Sequence, residues 1–360
     1  MRGPGAGGIA LPALFSFLLS AAAPGPVAAS GQPVSAAADP ALVVGLLLPP
    51  DEPEARSIRR GAEAAVAEAN GPGRPVRLAV RGRQGAWGSD ASEAARLLED
   101  DGATALVAPP GGAATHLALQ VAGRTGIPVA SLSPDGSVTR TALPWMVRVA
   151  PSTSDEARAL LRALPSVRWI AFVPEGRPGR EAARDLAEGG GSAIVRVVEV
   201  SAPPSPRRLR ELLSEARAGG ALLWLDAAPA ARLAVSLRGA GFTGALAGPM
   251  RLGSPSFASD AAGAAEGFVV PAFPPGGSPD FARRFRALHG EDPTPAASLA
   301  HDATALLVGL LARPGGAARD AFPLSTPFDG ATGSLRFDRS GNRIVSLEPR
   351  RWRGGRLVGL

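Results

Sequence analysis

Short apolar runs alternate with stretches of helical periodicity along most of the chain. Leu42 to Leu48 is almost continuously apolar, as expected for a strand that helices cover on both faces. Beyond it, Ile58, Ala62 and Ala69 share one face of a helix that Asn70-Gly71-Pro72 ends. One β-α unit is therefore visible, and units of this kind favour a parallel sheet.

The same alternation continues in two successive series. The first predicts elements at Val76–Arg81, Asp90–Asp100, Ala103–Val107, Ala113–Arg124 and Ile127–Ser131. After Arg148, strands are predicted near Trp169–Val173, Ala193–Val198, Ala221–Leu225 and Ala245–Gly248, and helices near Gly179–Glu188, Pro206–Ala218 and Ala230–Ala240. Helices Pro279–His289 and Pro295–Leu311 follow, then strand-like runs at Ser334–Asp338 and Arg343–Trp352. The pattern predicts an α/β protein with two doubly wound parallel sheets.

Composition narrows the function classes. The 360 residues suffice for two α/β lobes of about 150 residues each. The chain contains no cysteine, which excludes disulfides, thiol nucleophiles, thiolate metal sites and a lipoprotein anchor. The net charge of +6 comes mainly from the last part of the chain, where seven arginines stand against two acidic residues after Leu335. A solvated basic tail explains this better than a nucleic-acid site, which needs a basic stripe across the fold.

The N-terminus has the three parts of a secretory signal peptide. Arg2 supplies the positive charge, Ile9 to Ala23 the apolar stretch, and Val27-Ala28-Ala29 a small-residue cleavage site. The alternative is a membrane anchor, but the apolar run is short and broken by Pro12. We therefore expect residues 1–29 to be removed, residues 30–40 to form a flexible lead-in, and the mature protein to be periplasmic or secreted and soluble.

Several stretches resemble one known family. The run Val43 to Leu48 followed by Gly61-Ala62-Glu63-Ala64-Ala65-Val66-Ala67-Glu68-Ala69-Asn70 resembles the opening of type I periplasmic binding proteins of the branched-chain amino-acid (leucine-binding) family. Further matches in order are Ile127 to Ser131, Val147 to Ser152, Ala265 to Phe268, His301-Asp302-Ala303, and Gly330 to Asp338. Together they span about 40 to 360.

The resemblance implies two lobes that close around a ligand, with three crossings near 149–152, 269–275 and 325–332. The first lobe would comprise 41–149 and 271–327, and the second 150–270 and 328–360. It also implies a monomer that delivers a small polar ligand, an amino acid or a related compound, to an ABC permease in the inner membrane. A sensory or regulatory module that binds a receptor or an envelope enzyme remains the alternative.

Ligands of open α/β sheets bind at the carboxyl ends of the strands. The residues selected there as ligand-binding are Gly111, Gly112, Ala113, Ser131, Ser133, Glu175, Arg177, Asp226, Met250 and Arg251. The start of the helix at Gly111-Gly112-Ala113 offers free backbone N–H groups to a carboxylate. The alternatives are a tight turn at these glycines, turn hydrogen bonds for the serines, helix capping for Asp226, and plain surface charge for the arginines.

Some positions depart from the family's pattern. Gly112 replaces a hydroxyl residue, Pro178 an aromatic residue, and Met250 the acidic residue that holds a ligand's amino group. With no tyrosine in the chain, the usual aromatic lining is missing. We therefore expect weak binding of leucine-type amino acids, because a buried ammonium without a counter-charge is unfavourable.

The sequence does not predict an enzyme. His116, His289 and His301 fall in separate helices without the spacing of metal ligands. The motif Gly239-Ala240-Gly241-Phe242-Thr243-Gly244 follows a helix and precedes a strand, which is the reverse of a dinucleotide site. We expect no catalytic residue, cofactor or metal.

Overall fold

The structure is a computed structural model that describes residues 41–70, 75–83, 89–274, 279–313, 322 and 326–360. The predicted signal peptide at 1–29 and the lead-in at 30–40 lie outside the described residues. Within the described ranges, no helix combines the length and hydropathy that a membrane crossing requires.

The first sheet contains five parallel strands in the order β2-β1-β3-β4-β5. They are β1 (Leu42–Leu47), β2 (Val76–Arg81), β3 (Ala105–Ala108), β4 (Val129–Ser131) and β5 (Met146–Arg148). The connecting helices are α1 (Ala55–Ala69), α2 (Ser89–Glu99) and α3 (Gly112–Thr125). Every residue of β1 is buried, because it lies between two neighbouring strands and is covered on both faces.

The next part of the chain builds the second sheet. Its elements in chain order are α4 (Thr153–Ala163), β6 (Trp169–Pro174), α5 (Arg177–Gly190), β7 (Ile194–Val200), α6 (Pro206–Ala216), β8 (Gly220–Leu223), α7 (Ala227–Gly239), β9 (Ala245–Ala247), α8 (Pro255–Ala261) and β10 (Val269–Ala272). The strand–helix alternation predicted for both sheets is confirmed. The pattern did not reveal β5, α4, α8 or β10.

The last part returns to the first sheet and then ends in the second. It comprises α9 (Pro279–His289), α10 (Pro295–Leu311), β11 (Phe328–Gly330), β12 (Gly333–Leu335), β13 (Glu348–Arg353) and β14 (Arg356–Gly359). The long α10 packs against α1 and the first sheet. β13 and β14 are antiparallel and complete a seven-stranded second sheet in the order β14-β13-β10-β9-β8-β6-β7.

The chain therefore passes between the sheets three times, and one crossing differs from the prediction. The first follows β5 and the second follows β10. The third was expected at 325–332, but Leu335 and Phe337 are buried in the core of the first sheet, and Asn342 pairs with Arg148 of β5. Apolar burial holds residues 328–337 on the first side, so the crossing lies between Asn342 and β13.

Candidate ligand-binding site

A cavity of about 100 Å³ lies where strands of both sheets end. Its walls follow five strands: Glu52 and Glu54 after β1, Pro110 after β3, Leu132 and Pro134 after β4, Ala150 and Pro151 after β5, and Met250 and Arg251 after β9. Glu156 of α4, Ile58 of α1, and Pro295, Ala296 and Leu299 of α10 complete the lining. The wall is mainly apolar, with a few charged groups, as ligand sites commonly are.

Glu156 is the most deeply buried charged group of this wall. Its residue is 6% exposed, and its Oε2 accepts the backbone N–H of Met250 at 2.8 Å. The contact joins residues far apart in the chain, one on α4 and one after β9. Burial raises the pKa of Glu156 to about 7, although the Met250 N–H and Arg251 act in the opposite direction.

A capping box places Glu156 at the start of α4. The Ser152 Oγ accepts the backbone N–H of Asp155 at 3.0 Å, and an Asp155 carboxylate oxygen accepts the Ser152 N–H at 3.2 Å. This reciprocal pair fixes the first turn, so the adjacent Glu156 is oriented by the helix start.

Two further carboxylates belong to the loop after β1. Burial raises the pKa of Glu52 to about 7, and the pKa of Glu54 is raised for the same reason. The charges of Asp226 and Arg251 act on both groups, although these residues belong to the second sheet's side. The two halves of the molecule therefore share one electrostatic environment in the cavity.

Arg251 is the cation of the cavity wall. Its Nε donates to the Leu225 carbonyl at 3.1 Å and lies 3.2 Å from the Asp226 carboxylate. Asp226 stands at the helix-cap position of α7, but its side chain accepts no capping hydrogen bond. Capping by Asp226 was thus a wrong interpretation, since its carboxylate pairs with Arg251 instead.

Of the ten residues predicted to bind the ligand, Met250 and Arg251 line the cavity. Ser131 and Ser133 are buried beside it and form turn contacts. The Ser131 Oγ accepts the Ser133 N–H at 3.0 Å, and the Ser133 Oγ accepts the Asp135 N–H at 3.2 Å. The intervening Leu132 and the following Pro134 face the cavity in their place.

The start of α3 was expected to receive a carboxylate at Gly111, Gly112 and Ala113. None of the three lines the cavity, although the preceding Pro110 does. A Cβ at Gly112 would collide with Asp135, whose carboxylate lies against this turn. An acidic side chain of the protein itself therefore occupies the neighbourhood that was predicted to receive the ligand's carboxylate.

Glu175 and Arg177 lie away from the cavity. Both are exposed, and the Arg177 Nε forms a surface ion pair with Glu181, one turn along α5, at 2.7 Å. Side chains at the carboxyl end of β6 thus do not reach the cavity, unlike those after β9.

The residues that sequence analysis overlooked are Glu52, Glu54 and Glu156. The pattern did not predict α4, the helix that carries Glu156. The Ser152-x-x-Asp155 pattern, of the kind that begins helices, was the available signal. Met250 offers no counter-charge to an ammonium, but the carboxyl groups of Glu52, Glu54 and Glu156 in the same wall can supply one.

The histidines lie outside this site. His301 is buried between Asp302 and Glu68, with a ring nitrogen 3.2 Å from each carboxylate. Burial lowers the pKa of His301, but the two carboxylates outweigh it and raise the value above its usual range. Among the described residues, no group of three or more histidine, aspartate or glutamate side chains is placed to hold a metal ion.

The model of the periplasmic binding protein family matches residues 44–346. The chain belongs to this family. No curated protein sequence matches it significantly. Its fold is the type I periplasmic binding fold, as comparison with solved structures shows.

The branched-chain amino-acid transporter binding protein LivJ of Streptococcus pneumoniae, in complex with isoleucine, shares 17% identity with a TM-score of 0.76 over 88% of this chain and 97% of that one. The leucine-binding protein LivK of Thermotoga maritima shares 17% at 0.75, with the same coverage. A solute-binding protein from R. palustris in complex with benzoate shares 19% at 0.75 over 89% and 95%. At these identities the likeness establishes the fold.

Proposed function

We propose that this family member is an exported, monomeric solute-binding protein that closes around a small polar ligand and delivers it to an ABC transporter. The observation that carries the proposal is the cavity itself, because its wall combines strand ends of both sheets with residues at the first crossing. A ligand there would contact both halves at once and favour the closed arrangement.

The known binding proteins support this proposal through the range of their ligands. Structures of the same fold are complexes with isoleucine, leucine, benzoate and 4-hydroxybenzoate. The fold thus accommodates different small molecules when the lining changes. We propose that this protein likewise combines the shared fold with a cavity lining that suits its own ligand. We also propose that residues 1–29 direct its export.

A thermal-shift panel of small metabolites tests the proposal. A ligand at a hundred times its dissociation constant should stabilise the protein by about 2.7 kcal/mol. The bound compound should be recovered chemically unchanged, since we propose a binding protein without turnover. Small-angle scattering should show a more compact particle with the ligand than without it.

A variant pair localises the binding. Ala296→Trp should fill the cavity and abolish the thermal shift, whereas Ala187→Trp on the exposed side of α5 should preserve it. The absence of any stabilising compound in a broad panel, or conversion of the bound compound, would refute the proposed function.

A further inference from the structure

We infer that the cavity selects a compact molecule with an apolar body, a single cationic amine and no carboxylate. The inference rests on the proposed function and specifies its ligand class. Three carboxyl groups (Glu52, Glu54 and Glu156) face the cavity together with one guanidinium. The apolar remainder of the wall would hold the body of the ligand.

Glu156 provides the anchoring contact. Its side chain is more than nine-tenths buried and lines the cavity, and the Met250 N–H is its only hydrogen-bond partner among the described residues. The other oxygen, Oε1, is therefore left to a ligand. An ammonium donating to it would form a charge-assisted hydrogen bond, which is roughly twice as strong as a neutral one.

An anionic ligand is disfavoured because the charge of the single guanidinium is already balanced. The Asp226 carboxylate lies 3.2 Å from the Arg251 Nε, which also donates to the Leu225 carbonyl, so an incoming carboxylate would find hydrogen-bond donors on the Nη groups but no uncompensated positive charge. It would also lie in the field of Glu52, Glu54 and Glu156. The start of α3 offers the ligand's carboxylate no alternative site, since the Asp135 carboxylate lies against it.

A zwitterionic amino acid meets the same obstacle at its carboxylate end. The cavity measures about 100 Å³, so the part of the ligand that it encloses must be small. A short branched alkylamine fits the charges of the wall and its apolar remainder.

Binding of a cation should release protons near neutral pH. Burial raises the pKa of both Glu52 and Glu156 to about 7, and a bound ammonium favours their ionised forms. The charged groups that face Glu156 are Arg251, Asp155 and Arg148, and those that face Glu52 are Glu54, Asp226 and Arg251. Affinity should therefore rise about tenfold from pH 6 to pH 8 for each carboxyl that must ionise.

Three compounds that share a 3-methylbutyl group test the inference by calorimetry: 3-methylbutylamine, leucine and 4-methylpentanoate. They present a cation, a zwitterion and an anion on the same branched body. We expect the amine to bind at least tenfold more tightly than the other two at pH 8, with proton release measured in buffers of different ionisation enthalpy.

Neutral isosteres identify the contact. Glu156→Gln should weaken amine binding about thirtyfold or more, because the ligand's charge loses its buried partner. Glu52→Gln should weaken it less and remove part of the pH dependence. Glu99→Gln, on the exposed end of α2, is the control and should change neither.

The outcomes separate this inference from the proposed function. Tighter binding of 4-methylpentanoate or leucine, or amine binding that Glu156→Gln leaves intact, would overturn the ligand class while solute binding stood. Failure of the amine to bind at millimolar concentration would also overturn it. An empty metabolite panel, or conversion of the bound compound, would instead count against the function itself.

Discussion

Asp135 and Glu156 are two carboxylates with almost equal burial and very different surroundings. Asp135 is 8% exposed and Glu156 is 6% exposed. Asp135 accepts the Ser137 N–H and hydroxyl, each at 2.8 Å, and lies 3.5 Å from Arg184 of α5. Glu156 accepts one backbone N–H, and its pKa is raised to about 7 because burial is not balanced by enough donors.

This difference separates a structural carboxylate from one that can receive a ligand. A buried carboxylate with several donors has no need of a further partner, whereas one with a single donor is stabilised by any cation that reaches it. Burial alone therefore does not identify a binding residue in this cleft. A binding residue is identified by how few hydrogen-bond donors the protein already supplies to its carboxylate.

The largest effect should come from removing a fully buried carboxylate that has several donors. Asp302 of α10 is fully buried and accepts the backbone N–H groups of Ala331 and Thr332 together with the Thr332 hydroxyl. Asp302→Ala should lower the free energy of unfolding by about 3 to 5 kcal/mol, because two buried N–H groups lose their acceptor.

Urea denaturation followed by circular dichroism measures this loss. The matched control is Asp280→Ala, since Asp280 forms an exposed pair with Arg283 on α9, and its removal should cost less than about 1 kcal/mol. Equal losses in the two variants would show that the donors around Asp302 do not hold the β11–β12 turn.

The second prediction concerns the pH dependence of stability. The pKa of Glu156 is near 4.5 in the unfolded chain and about 7 in the fold. The folded protein binds this proton more tightly than the unfolded chain does. The contribution of Glu156 to the free energy of unfolding is therefore complete below pH 4.5 and is lost as the pH rises to about 7. The difference amounts to roughly 3 kcal/mol, at about 1.4 kcal/mol per pKa unit.

Glu156→Gln should abolish that part of the loss. The free energy of unfolding, measured at several pH values without ligand, should fall less steeply between pH 4.5 and 7 in the variant than in the parent protein. Parallel curves would contradict the raised pKa, and with it the view that Glu156 lacks donors.

Much of the fold could be predicted from the sequence, because burial leaves a local record. The continuously apolar β1 and the periodic α1 each express their surroundings within a few residues. The carboxyl ends of the strands, and so the region of the cavity, followed from that alternation. The third crossing was misplaced because Leu335 and Phe337 could pack on either sheet as far as the sequence shows.

The site could be predicted less well, because its chemistry depends on contacts between distant residues. The bond between Glu156 and the Met250 N–H spans 94 positions. The approach of Asp135 to Gly112 likewise depends on how the loop after β4 returns to α3. No local pattern records which of several polar side chains after a strand turns inward and which forms a turn, as Ser131 and Ser133 do.

The third prediction tests the donors of Asp135. Asp135→Ala should lower stability by about 1 to 2 kcal/mol, because the Ser137 N–H and hydroxyl lose their acceptor at the start of a short turn. Arg184→Ala should cost about 1 kcal/mol, mainly because the buried Asp185 loses its 2.8 Å partner, whereas the 3.5 Å contact with Asp135 should contribute little. A double-mutant cycle on thermal unfolding separates the two, and a coupling well above about 1 kcal/mol would make the ion pair the dominant contact.

The smallest effect distinguishes the two arginines that sequence analysis assigned to the ligand. Arg177 is paired with Glu181 on the surface of α5, whereas Arg251 lines the cavity beside Asp226. Arg177→Gln should change stability by less than about 0.5 kcal/mol and leave ligand affinity unchanged, because exposed helix pairs contribute little.

Arg251→Gln removes the only positive charge near Glu52 and Glu54 on the described cavity wall, so affinity for an alkylamine should rise a few fold. Calorimetry at pH 8 with both variants measures the contrast. A drop in amine affinity in Arg251→Gln would show that this guanidinium orients the carboxylates rather than opposing the ligand's charge, and a change in Arg177→Gln would place α5 at the ligand after all.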